Sequence, residues 1–206
     1  MKNLCSLAGA FVVATLCSTA FTALGQEALS REEAMKYAFL VALHEPASMQ
    51  APIKVDADLK RPFAGHDGDY GAMVLPETKL TAATLQSAGR DVIPLGQLWL
   101  VKLTPMVNGS GVDASSLQIV RIPHDGETVR APLCLLGVRK TEAGSLELLV
   151  YGRGKEPLLH VPLSKTQRTQ TMPIELTGER ESDGGKLKLS IVGQYEAEIP
   201  VTELQD

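Results

Sequence analysis

One stretch of the chain nearly duplicates another, and this constrains the fold more than any other feature. Residues 132–152 (PLCLLGVRKTEAGSLELLVYG) align with residues 173–193 (PIELTGERESDGGKLKLSIVG) without a gap, 41 positions apart. The identical pairs are Pro132/Pro173, Leu135/Leu176, Gly137/Gly178, Arg139/Arg180, Gly144/Gly185, Leu146/Leu187, Leu148/Leu189 and Gly152/Gly193. Prolines, glycines and alternating leucines set a strand, its turn and its return strand. No nucleophile, acid or imidazole is matched, so the repeat describes a β-scaffold and carries no chemistry.

The copies differ in what they place opposite the core. In the second, Ile174, Leu176, Leu187, Leu189 and Ile191 fall on one side, while Glu175, Thr177, Glu179, Lys186, Lys188 and Ser190 fall on the other. That is one core face and one wet face. The matching outer positions of the first copy are Cys134, Leu136, Val138, Leu149 and Tyr151, with Glu147 the sole charge. Leu98-Trp99-Leu100-Val101 is also apolar on both faces. An outer face this apolar exceeds what soluble monomers leave uncovered, so something is expected to lie on it.

The chain contains a candidate cover. Ser30-Arg31-Glu32-Glu33 is a capping box that opens a helix predicted over residues 31–45, with Pro46 disfavouring helical geometry beyond it. Seven consecutive residues, Tyr37 to Leu43, are apolar, so one stripe of contact cannot satisfy the helix. Intramolecular cover by this helix and docking of another protein are both consistent with the pattern. The candidate interaction residues are Phe39, Leu40 and Leu43 on the helix and Leu136, Val138, Leu149 and Tyr151 on the sheet.

The remaining pattern is β. Ile53 to Leu59 alternates and reads as a half-exposed strand, and Pro62 to Gly71 as a turn-rich stretch leading into Ala72-Met73-Val74-Leu75. A short helix is expected within 78–88, and strands near 92–103, 116–122, 128–139, 145–152, 157–163, 172–180, 186–193 and 195–202. An apolar-Pro-apolar triplet recurs around Pro94, Pro132, Pro162 and Pro200. Proline donates nothing to a ladder, so these triplets predict bends or crossings between two sheets.

Residues 1–25 read as a signal peptide. Lys2 precedes an uncharged apolar run that ends at Ala23-Leu24-Gly25, with an uncleaved anchor as the alternative. The organisation is thus signal 1–25, helix segment 26–46 and β-sandwich domain 47–206, with the mature protein exported to periplasm, outer surface or medium. Twenty basic residues against 24 acidic ones give a net charge of −4, and loss of Lys2 makes it one unit more acidic. Without a basic cluster, neither nucleic acid nor an anionic membrane surface is an expected partner. Cys5 and Cys17 leave with the signal, so Cys134 is alone, read as buried with intermolecular pairing as the alternative.

No chemical motif emerges from the polar residues. Asp56, Asp58, His66, Asp67 and Asp69 form the densest polar cluster, but their spacing matches no calcium or zinc loop and reads as strand face and turn. His44, His124 and His160 are scattered, and Gly109-Ser110-Gly111 lacks the spacing of a nucleophile elbow. No metal, cofactor or catalytic residue is assigned. The fold expected is all-β: an Ig-like sandwich with duplicated hairpins and an N-terminal helix packed on a sheet. The function expected is non-enzymatic, an exported envelope or surface protein acting through protein–protein contact or self-association, such as a component of a pilus-like assembly. The alternatives are a sandwich module that binds a glycan or metal, and a periplasmic hydrolase. A pocket holding His66 or His124 beside a Ser or an acid would favour the hydrolase.

Overall fold

Ser30 caps the first helix as the sequence predicts. Its Oγ accepts from the Glu33 amide at 3.3 Å while the Glu33 carboxylate accepts from the Ser30 amide at 3.2 Å, closing the capping box. The computed structural model of the chain describes residues 27–46, 50, 53–124, 126–181 and 184–205. The expected signal at 1–25 lies outside the described residues.

In chain order the elements are β1 (Glu27–Ala28), α1 (Arg31–Ala42), β2 (Phe63–Asp67), β3 (Tyr70–Pro76), α2 (Ala82–Gln86) and β4 (Ile93–Val101). Next come β5 (Leu103–Val107), β6 (Ser110–Gly111), β7 (Gln118–His124), β8 (Glu127–Lys140), β9 (Leu146–Tyr151) and β10 (Pro157–Pro162). The chain closes with β11 (Ser164–Lys165), β12 (Ile174–Glu181), β13 (Gly184–Ile191) and β14 (Tyr195–Glu203). The fold is mostly β, in two antiparallel sheets. The larger runs β1-β2-β3-β4-β8-β9-β10, with β7 also on β8. The smaller runs β12-β13-β14-β5-β6, with β11 also on β14.

The two sheets close on one apolar layer. Val74, Leu98, Leu100, Leu136, Val138, Leu148 and Val150 of the larger sheet share a cluster with Ile174, Leu176, Leu187, Leu189, Ile191 and Ile199 of the smaller. A second cluster lies on the opposite face of the larger sheet: Met73, Leu75, Trp99, Ile122, Leu133, Leu135, Leu149 and Tyr151 beneath Ala34, Ala38 and Val41 of α1. The larger sheet is therefore apolar on both sides because it is the middle of three layers.

The repeat does not fold as two equal hairpins. In β12–β13, Leu176 faces Leu189 and only two residues separate the innermost pair, Glu181 and Gly184. In β8–β9, Leu136 faces Val150 and five residues separate Lys140 from Leu146. The longer loop shifts the register by three, an odd number, which turns β8 over relative to β12. Cys134, Leu136 and Val138 consequently point into the layer between the sheets, while Leu133 and Leu135 take the outer face. This corrects the expectation that Cys134, Leu136 and Val138 are outward. Leu149 and Tyr151 do lie on the outer face. Gly144 and Gly185, matched in sequence, play different parts: Gly144 turns the loop at φ 84°, and Gly185 lies within β13.

Four further expectations need correction. Ile53 to Leu59 joins no ladder beyond one bridge between Ala57 and Glu77. It is an extended strap whose alternate residues Ile53, Val55, Ala57 and Leu59 pack on the outer cluster, so the alternation marked burial rather than pairing. The strap is anchored by the largely buried Glu77, whose carboxylate accepts from the Asp56 amide at 2.7 Å and the Thr78 hydroxyl at 3.0 Å. The stretch 62–71 is not mainly turn but a hairpin, β2–β3, reversed at Gly68 with φ 57°. The strand expected over 92–103 breaks at Lys102, φ 56°, where the chain passes from the larger sheet to the smaller. α1 ends at Ala42 rather than residue 45, with the His44 amide bonding back to the Val41 carbonyl.

The proline triplets divide in their roles. The β4–β8 register shifts between Pro94 and Gly96, and Pro162 ends β10 just before the chain enters the smaller sheet at β11. Pro132 and Pro200 lie within strands, near positions where one neighbour gives way to another: β7 to β9 along β8, and β11 to β5 along β14. A residue lacking an N–H fits such gaps in a ladder.

On β9, Glu147 accepts from Arg139 Nε at 2.6 Å and sits 3.2 Å from His160 Nδ1. Burial raises its pKa, but the hydrogen bonds from Arg139 and His160 together hold the carboxyl below the usual value of 4.5. A depressed folded-state pKa adds stability that is complete above the unfolded value and drains as pH falls through the folded one. Urea midpoints of the protein and of Glu147→Gln are therefore expected to differ most near neutral pH and to converge below pH 4.5. A gap that widens on acidification contradicts this pairing.

Candidate functional site

The outer face of the larger sheet is where α1, the strap and the β2–β3 hairpin meet. The helix presents its small residues inward: Ala34, Ala38 and Val41 are buried, spaced four and three apart so that they share one stripe. The larger Phe39 and Leu43 face outward, 50% and 81% exposed, and Tyr37 lies at the helix edge, partly exposed. Leu40 is half-buried beside the outer cluster. Of the sheet residues singled out in the sequence, Leu136 and Val138 are sealed between the sheets, and Leu149 and Tyr151 are sealed in the outer layer. Ile53 and Val92 lie over Gly137, the ladder partner of Leu149, so the strap shares the covering role with α1.

The cover is incomplete. Between α1 and the sheet lies a cleft of about 580 Å³. The helix side supplies Glu33, Tyr37, Leu40 and Val41; the β2–β3 hairpin supplies Ala64, Gly65, His66, Gly68, Asp69 and Tyr70 to Met73, and the remaining strands supply Trp99, Val101, Ile122, His124, Val129 and Ala131. Small residues at Ala64, Gly71 and Ala131 on the outer face leave the space that larger side chains would occupy. Tyr37 spans from helix to sheet, its ring edge-on to His124 at 5.7 Å between centroids. Volume and a mainly apolar lining with a few polar groups suit a small-molecule site.

The cleft carries carboxylates, Glu33 and Asp69, with no lysine or arginine in its described lining. Hydrogen bonds from Ser30 hold the Glu33 carboxyl below its usual range, and the Lys102 ammonium, 2.8 Å from Asp69, does the same there. Both are ionised at neutral pH. His66 and His124 stand in the same lining as these acids, the combination that would favour a hydrolase; among the described residues the lining holds no Ser, Thr or Cys.

The polar cluster of the sequence is dispersed. Asp56 accepts from Thr78, Asp58 from Arg61 and the Lys60 amide, and Asp69 from Lys102. Asp67 pairs with Arg180 of the other sheet at 3.8 Å. Among the described residues no three His, Cys, Asp or Glu side chains converge on a metal position. Cys134 is buried, and burial pushes its thiol up to about 12, which leaves it protonated.

No protein-family model, curated protein or solved structure matches this chain. Its function is therefore argued from its own surfaces. The cleft escaped sequence reading because its residues come from six separate elements. The signal available in the sequence was small residues (Ala64, Gly71) beside a strand apolar on both faces. No described helix is long and apolar enough to cross a membrane.

Proposed function

We propose that this is an exported, non-enzymatic envelope or surface protein that works through protein–protein contact, with α1 as its docking element. The observation that carries the reading is the concentration of exposed apolar side chains. Tyr37, Phe39 and Leu43, the large hydrophobic residues exposed among those described, all belong to α1 or its C-cap. Phe39 and Leu43 are four apart and form one ridge, as the anchors of a groove-binding helix do. Export rests on the leader-like residues 1–25. An Ig-like character of the two-sheet fold, and membership of a pilus-like assembly, belong to the same proposal.

The contact set is narrower than the sequence suggests. Phe39, Leu40 and Leu43 are retained, whereas Leu136, Val138, Leu149 and Tyr151 act as core. The test places a photo-crosslinking amino acid at position 39 or 43 of the full chain in an expressing cell. A discrete adduct of higher mass, with none from an equivalent probe at Thr177, is the expected result. Absence of any adduct from both helix positions would overturn the reading.

A further inference from the structure

We propose that the cleft between α1 and the larger sheet binds a small organic cation with an apolar body, such as an alkyl or aryl ammonium compound. The inference does not depend on α1 docking to a protein.

Three observations lead to it. The cleft is about 580 Å³ and mainly apolar, which suits a hydrophobic body rather than a sugar or a bare ion. Its lining holds two ionised carboxylates, Glu33 and Asp69, and no Lys or Arg among the described residues. Asp69 is paired with Lys102 outside the lining, which leaves Glu33 as the unneutralised charge. His66 and His124 are the other titratable groups there apart from the tyrosines. A cation is favoured there and a carboxylate ligand is repelled. Aromatic rings are also present: Tyr37, Tyr70 and Trp99. The ring of Tyr70 is already engaged by the Arg180 guanidinium, 5.4 Å from its centroid, so Tyr37 and Trp99 are the rings left for a ligand cation. Ring faces attract positive charge through their quadrupole, and ammonium groups exploit the same property.

Charge, not fit, distinguishes this proposal from a general greasy pocket, so the probes share one body. Decyltrimethylammonium and decanoate, each below its micellar concentration, and decanol below its solubility limit, are titrated into the purified protein at pH 7. Trp99 is the only tryptophan in the chain and lines the cleft, so its emission reports occupancy. Calorimetry supplies the affinity. The expected order is ammonium, then alcohol, then carboxylate, with the ends at least about tenfold apart at low salt and closer at high salt.

Two variants locate the effect. Glu33→Gln keeps a residue able to close the capping box, so α1 persists while one charge is lost. Val129→Lys adds a cation to the lining at a half-buried position. Both are expected to narrow the preference for the ammonium probe several-fold without changing the circular dichroism spectrum. Equal or tighter binding of decanoate, a silent Trp99 with all three probes, or an unchanged preference in both folded variants would each overturn the proposal. So would a doubling of mass on titration, which would make a second copy of the chain the occupant.

Discussion

Truncating Leu136 to alanine is expected to cost about 2–5 kcal/mol, while truncating Thr177, its counterpart in the repeat, stays within about 0.5 kcal/mol. Leu136 has no exposed surface and stands between the two sheets, and Thr177 is exposed. The spread for a buried leucine reflects how far the site can collapse around the lost volume. Here the neighbours belong to two hydrogen-bonded sheets that cannot easily approach, which places the cost in the upper half of that range. Urea denaturation measures both. The direction Leu136 faces is tested by a second truncation, Val41→Ala, on the far side of the larger sheet. If Leu136 belongs to the inter-sheet layer, the two losses add. A coupling of 1 kcal/mol or more would return Leu136 to the helix-covered face.

Placing a charge at Ala38 is the second large effect. Ala38 is fully buried against the sheet and Phe39, its neighbour in sequence, is half exposed. Ala38→Glu should destabilise the protein by about 3–5 kcal/mol, because an unpaired carboxylate must either stay dry or lever the helix away. Phe39→Glu should change stability by no more than about 0.5 kcal/mol. Deleting residues 27–46 goes further and uncovers Ala64, Met73, Trp99, Ile122 and Ala131 together. A patch of that kind is expected to drive association. The readouts are light scattering coupled to sizing and a red shift of Trp99 emission. A truncated chain that remains a monomer of unchanged stability would show that α1 neither covers the sheet nor docks to anything.

Local patterns carried most of the strand map. The alternation of Ile174, Leu176, Leu187, Leu189 and Ile191 marked the inner face of the smaller sheet, and those residues are its core. Ser30 and Glu33 marked the start of α1 because both partners of a capping box lie within one turn. The strap at 53–59 shows the limit of alternation. A residue can be buried on every second position by packing on a sheet as well as by belonging to one. The break at Lys102 was also invisible, since a left-handed residue other than glycine leaves no compositional mark.

The candidate site was far less legible. Phe39, Leu40 and Leu43 could be named because they share a helix, but which of them face water depends on what Ala34 and Ala38 rest against. Glu33, His66, Trp99, His124 and Ala131 meet across nearly a hundred positions of sequence, and no spacing rule joins them.

What the amino-acid order determined by itself is a β-rich chain with an amply apolar helix in front, and a middle sheet greasy on both sides. Those properties are local, written in residue type and period. Only the tertiary structure decided which side of β8 is which. Five loop residues in one hairpin against two in the other shift the pairing by an odd number, and the pleat converts that shift into a change of face.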